Sequence, residues 1–256
     1  MNNLYNEACR LIGRSRRESM CYMTVYLATA GLYILMCRLL GLDGAYGGVE
    51  ILKTSPVKGL VAYLPGIVVG AWFAAGLAGR YTIDALTGAP EGMACYANGW
   101  FLRKLAADSL ITGAMWVPVL FIVPVSFIRV VFAAMWIFAA AWMGLRIAFW
   151  LNISIVENLS LIESMKRSYA LTRGQALRLL ILAGVPRVSV SILSWAIGKV
   201  LPGQAALMYY IKAMLEGAAM MFITGVVVAL YIELRMDGSK NALVEAVPAA
   251  TGPRAE

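Results

Sequence analysis

Histidine is missing from all 256 residues. Its absence excludes bis-histidine haem ligation, histidine-held zinc, and acid–base or triad chemistry built on imidazole. Charge is also scarce. Only 14% of the residues are Asp, Glu, Lys or Arg, against roughly 25% in an ordinary soluble domain. The four cysteines, Cys9, Cys21, Cys37 and Cys95, form no C-x-x-C pair, so neither a metal site nor a disulfide framework is expected, and they read as small buried hydrophobes. No nucleotide-binding motif or redox ligand set is present, and no cofactor is expected.

Apolar residues fill the space that charge leaves. They make up 61% of the chain, and the mean hydropathy is +0.75. Such an excess has to face lipid rather than water. A helix crossing the hydrocarbon needs about 20 residues, and six runs qualify: Met20–Gly41, Gly59–Gly79, Ser109–Val125, Val130–Val156, Leu177–Leu201 and Ala205–Leu234. Pro124 and Arg129 mark a tight turn between the third and fourth. The first run is too long for the core of a secretory signal and has no clear cleavage site after it, so it reads as a retained span. The expected fold is an all-α, polytopic membrane bundle over residues 1–236, with a disordered tail at 237–256.

Net charge is +8. On a membrane protein this reflects basic residues kept on the cytoplasmic side against anionic lipid, and no nucleic-acid partner is inferred. The N-terminal segment carries Arg10, Arg14, Arg16 and Arg17. The connection after the second run carries Arg80, Arg103 and Lys104, and the one after the fourth carries Lys166, Arg167, Arg173 and Arg178. The tail carries Arg235, Lys240 and Arg254. The opposite side has only Lys53, Lys58, Arg129 and Lys199. This bias puts both termini in the cytoplasm of a bacterial or archaeal cell, with the chain multi-pass in its cytoplasmic membrane.

Each basic segment contains an amphipathic stretch before a span: Leu4, Ala8, Leu11 and Ile12; Met93, Ala97, Trp100 and Phe101; and Leu161, Ile162, Met165 and Tyr169. Helices of this kind lie in the headgroup plane with the apolar face down. The third has a start, the capping box Ser160-x-x-Glu163, and a stop, Gly174. Three units of surface helix, span and span are therefore expected.

The segment Glu157–Leu180 carries a recognisable box: an acidic residue closing a span (Glu157), then Ser164, the basic pair Lys166 and Arg167, Ser168, Tyr169, Leu171, Thr172, Arg173 and Gly174. The last span ends in Tyr231, Glu233, Leu234 and Arg235. This pattern resembles the membrane domain of the glycerophosphoryl diester phosphodiesterase membrane-domain family and its multi-pass relatives, over about Leu4–Asp237, with a loose match in Arg80–Lys104. Some members of that family carry a fused catalytic domain that uses histidines, carboxylates and a divalent metal. This chain lacks those histidines, so the resemblance implies the membrane fold and not the diesterase activity.

Two sets of residues are candidates for function. The first is intramembrane: Arg146, Arg187 after Pro186, and the i, i+4 pair Lys212 and Glu216. These read either as a path for a solute or ion or as internally neutralised structure. The second set, Glu157, Arg167, Arg173, Arg178, Glu233 and Arg235, should meet at the cytoplasmic face. It reads as an ion-pair cluster docking the surface helix, or as a site for anionic lipid headgroups. The small face Gly66, Gly70, Ala71, Ala75 and Gly79 is expected to pack helices within the chain. The expected function is that of a non-enzymatic membrane protein that organises the membrane or assists a complex of other membrane proteins. The alternative is a small-solute or lipid transporter.

Overall fold

The computed structural model describes residues 2–42, 56–88, 92–121, 127–200 and 204–246; within these, the side chains of 56–57, 60, 111–130, 132–134, 137, 205 and 237–246 are not described. The described backbone is helix and turn, without a strand. The helices are α1 (Asn2–Arg14), α2 (Arg16–Leu39), α3 (Pro56–Thr87), α4 (Met93–Phe121), α5 (Phe127–Arg146), α6 (Trp150–Glu157), α7 (Leu161–Leu171), α8 (Ala176–Val200) and α9 (Ala205–Ala246). The architecture is an all-α bundle. Five stretches are long and apolar enough to cross a membrane: Arg16–Leu39, Val61–Thr87, Phe138–Glu157, Ala176–Val200 and Ala206–Met236. The run Ser109–Val125 falls on positions that are mostly outside the described side chains.

Two of the amphipathic stretches, in α1 and at the start of α4, turn their apolar faces onto protein, and the third does so only in part. In α1, Leu4, Ala8 and Leu11 are buried. Ala8 meets α9 where Gly225 leaves room, since a β-carbon on Gly225 would lie 3.2 Å from Ala8 Cβ. Leu4 and Ala8 join Phe149, Ile153, Leu179, Leu182, Val226 and Leu230 in the main core. The stretch from Met93 to Phe101 is no separate surface helix. It forms the first turns of α4, which continues unbroken to Phe121. In α7, Leu161 and Met165 pack inward, whereas Ile162 and Tyr169 are exposed. Its fully buried positions are polar: Ser164, Ser168 and Thr172. The sequence stripe misjudges this helix because its neighbour offers hydrogen-bonding groups and not a greasy surface.

The small face of α3 is buried at Ala71 and Ala75, and its closest approach to another helix is at the far end. A β-carbon on Gly76 would come within 2.6 Å of Met93 Cγ and 2.8 Å of the Met93 carbonyl, and one on Gly79 within 2.5 Å of Tyr96 Cβ. This is the most extensive helix pairing in the bundle. Gly66 and Gly70 pack against nothing within 4 Å; they border open space. Among the cysteines, only Cys37 is a buried hydrophobe, while Cys9, Cys21 and Cys95 are exposed. Helix α9 runs on to Ala246, into the segment expected to be disordered. Extending an existing helix needs no new nucleus, and Asn241–Ala246 is rich in good helix formers. Positions 247–256 lie outside the described residues.

Candidate functional site

Apart from the contact of Ser15, Glu18 and Ser19 with Arg80 and Tyr81 where the start of α2 meets α3, the polar chemistry of the described residues gathers chiefly in three places. The first is a seam between α5, α6 and α7. The apolar run that includes α5 and α6 is not one helix. It breaks at Ile147–Phe149, and a break in a buried apolar segment strands backbone groups that need partners within the protein. Helix α7 folds back alongside and supplies the partners. The Ser168 hydroxyl accepts from the Phe149 N–H at 3.0 Å and donates to the Arg146 carbonyl at 3.2 Å. The Thr172 hydroxyl lies 2.8 Å from the same carbonyl. One turn on, Ser154 donates to Ser164 at 2.6 Å, and Ser164 donates to the Ser160 carbonyl. Serine and threonine at 164, 168 and 172 share one helical face, so a single ridge closes the seam. On the other side of α6, Asn152 donates to Thr82 of α3 at 2.8 Å.

Arg146 belongs to this seam. It is 8% exposed, donates to the Thr172 carbonyl at 2.8 Å, and stacks its guanidinium 4.2 Å over the Tyr169 ring. The positive charge sits where the last carbonyls of α7 concentrate negative charge. The partner of Arg146 is thus a helix terminus and an aromatic face. The N-terminus of α7 is capped as well. Both halves of the Ser160–Glu163 box are formed, and Asn158 ends α6 in the left-handed conformation at φ 50°.

Hydrogen bonds from the Ser160 side chain and then its backbone N–H hold the Glu163 carboxyl below its ordinary value of 4.5. A depressed folded value means that the stabilisation is present above the unfolded value and is lost as the pH falls through the folded one. The protection factors of the amides in the first turn of α7, taken against intrinsic exchange at each pH, should therefore fall on acidification through and below the ordinary carboxylate range. Glu163→Gln keeps a capping side chain and should abolish that dependence. An unchanged profile in Glu163→Gln would assign the acid sensitivity to another group.

The second place is the set expected at the basic end. Arg167 pairs with Glu157 at 2.9 Å, joining α7 to α6. Arg178 grips Glu233 through two bonds of 2.9 and 3.0 Å, joining α8 to α9. Glu157, Arg167 and Arg235 line a cavity of about 430 Å³ with Leu171 and Tyr231. The buried Tyr231 hydroxyl has no hydrogen bond of good geometry, although the Arg235 side chain lies beside it. Arg173 sits exposed in the turn after α7, away from both ion pairs.

The third place is a cavity of about 320 Å³ between α2, α3 and α9. Tyr26, Tyr33, Tyr63 and Tyr209 form much of its wall, with Lys212 and Glu216 beside them. Tyr33 stacks on Tyr63 at 4.4 Å and on Tyr209 at 5.0 Å between ring centroids. Lys212 Nζ lies 3.9 Å from Glu216, too far for a hydrogen bond. Arg187, on α8, is exposed, with Met220 Sδ 3.5 Å from its guanidinium, and its charge acts on Tyr26 of the cavity wall. The four intramembrane candidates therefore divide: Lys212 and Glu216 share the cavity, Arg187 sits on another helix, and Arg146 closes the seam. The sequence reading missed the tyrosines, because they are scattered over three helices and no spacing along the chain groups them. It also missed Ser154 and Asn152, whose partners lie on other elements.

Comparison with known protein families, with curated proteins and with solved structures finds no match.

Proposed function

We propose that this chain is a multi-pass integral membrane protein of six spans with both termini in the cytoplasm. It has no enzymatic activity, and it organises the membrane or assists a complex of other membrane proteins. The observation that carries this reading is the seam. Four of the buried polar residues, Arg146, Ser164, Ser168 and Thr172, are consumed by backbone and by neighbouring hydroxyls, and they hold a broken helix together without converging on a site for chemistry. The five long apolar helices support the bilayer as solvent, and the lopsided distribution of basic residues supports the orientation. The likeness of the Glu157–Gly174 box to the phosphodiesterase membrane-domain family agrees with this reading. So does the use of its Ser168, Tyr169 and Thr172 as seam residues. Arg167 and Arg235, at the basic-end cavity, are the side chains through which anionic headgroups would be met.

A second reading, transport of a small solute or lipid, is favoured by the tyrosine-lined cavity with its loose Lys212–Glu216 pair.

Cysteine labelling tests the topology. Cys9 is exposed on α1 and serves as reporter once Cys21, Cys37 and Cys95 are replaced. Ser239→Cys in a variant that also lacks Cys9 reports the other end. A membrane-impermeant maleimide should label each in intact cells only after permeabilisation. Labelling of one end alone in intact cells, or a monodisperse protein in buffer without detergent, would overturn the reading.

A further inference from the structure

We infer that the cavity between α6, α7 and α9 binds a phosphate group, held between the guanidinium groups of Arg167 and Arg235. The inference rests on the reading of this end as the one that meets anionic headgroups, and it names the group recognised and the residues that recognise it.

The charges at this end do not cancel. Glu157 is taken by Arg167 at 2.9 Å, and Glu233 by Arg178 through two bonds. Arg235 is left over. It is exposed and has no carboxylate within 4 Å among the described residues. Its side chain lies beside the buried Tyr231 hydroxyl, a contact that sets it at the cavity wall. Arg167 is not saturated either. A guanidinium carries five N–H donors, and Glu157 meets it at Nε. The Arg167 side chain is 63% exposed and that of Glu157 only 17%, so an incoming anion meets the guanidinium before the carboxylate.

Shape and depth define the ligand. Two guanidiniums that reach one cavity from different helices, α7 and α9, suit an acceptor with oxygens on several sides. A phosphate offers a tetrahedron of oxygens, whereas a carboxylate offers two in one plane. The rest of the wall includes Ile153, Leu171 and Leu234. The cavity measures about 430 Å³. Since a water takes about 30 Å³, it has room for a phosphate and part of the organic group that carries it. Glu157 closes the apolar stretch Phe138–Glu157, and Arg235 is next to last in Ala206–Met236. In the membrane reading this is the level of the headgroups. The phosphodiester of an anionic lipid is one source of the group, and a free phosphate from the cytoplasm is the other.

The test uses the full chain in a neutral detergent, with inorganic phosphate titrated by calorimetry and phosphatidylglycerol by native mass spectrometry. At least one of the two should saturate a single site. Saturation by both assigns the phosphate group itself, and saturation by one alone assigns that source. Arg235→Gln breaks no ion pair among the described residues, so it should keep the wild-type melting temperature and weaken binding about tenfold or more. Arg173→Gln removes the same charge from a turn that does not line the cavity and should change binding by less than about twofold. Glu157→Gln should tighten binding, because the carboxylate competes with the phosphate for Arg167. Equal losses in Arg235→Gln and Arg173→Gln would reduce the effect to diffuse attraction and overturn the inference. Saturation by neither probe, or equal competition from acetate, would overturn it as well. Such a failure, read in detergent, leaves the placement of the termini untouched. Termini on opposite sides would remove the headgroup as a source but not a site for free phosphate.

Discussion

Arg146→Leu should lower the stability of the detergent-solubilised protein by about 2–4 kcal/mol, the cost of leaving a buried carbonyl unpaired together with the lost stacking energy. The side chain bonds to the last carbonyl region of α7 and lies over Tyr169, so its removal uncaps a helix in a place without water. Arg146→Lys should recover only part of the loss. An ammonium keeps the charge near the helix terminus but not the flat face that stacks. Ser168→Ala attacks the same seam from the other side and strands the Phe149 N–H, at about 1–3 kcal/mol for the group left without a partner, while the Arg146 carbonyl keeps the Thr172 hydroxyl. The two substitutions share the Arg146 backbone and the α7 terminus, so their effects should fall short of additive in the double variant. Melting curves of the four proteins in one detergent decide the matter. Wild-type stability in Arg146→Leu would mean that α7 is not held by this residue, and a strictly additive double variant would mean that the seam is not one unit.

The α3–α4 contact predicts a second large effect. Gly79→Leu should destabilise the bundle by roughly 1–3 kcal/mol or more through overpacking, because even a β-carbon there runs into Tyr96 Cβ. Gly76→Ala should behave similarly, since one of the atoms in its way is the Met93 carbonyl, which no rotamer change can move. Gly66→Ala, in the sequence motif that looks most like a packing signal, should sit near neutral. Monodispersity after a heat step, compared across the three, measures this. The reverse order, with Gly66→Ala the most damaging, would place the close approach at the wrong end of α3.

These glycines show how far a sequence reading carries. The pattern G-x-x-x-G at Gly66 and Gly70 correctly marks a face with little bulk. What fills the vacancy depends on which helix arrives there, and α4 crowds Gly76 and Gly79 but not Gly66 or Gly70. Arg146 makes the same point. Its depth in an apolar run required a partner, because an isolated charge in hydrocarbon is costly. That the partner is a helix terminus follows from a chain reversal at Asn158 and a register that no local pattern encodes. The capping box at Ser160 was readable in full, because every atom in it comes from four consecutive residues.

The apolar runs, the scarcity of charge and the local stop and start signals are properties of neighbouring residues, and hydropathy and backbone hydrogen bonding convert them into helices wherever the rest of the chain goes. That much the sequence determined alone: an all-α bundle with helices long enough to span a bilayer. The tertiary structure decided the uses of their faces. It turned the stripes of α1 and of the start of α4 onto protein, matched Ser164, Ser168 and Thr172 to a broken helix, and gathered four tyrosines around Lys212 and Glu216. Such matches depend on distances between residues far apart in the chain, and those distances are fixed only when the whole bundle packs.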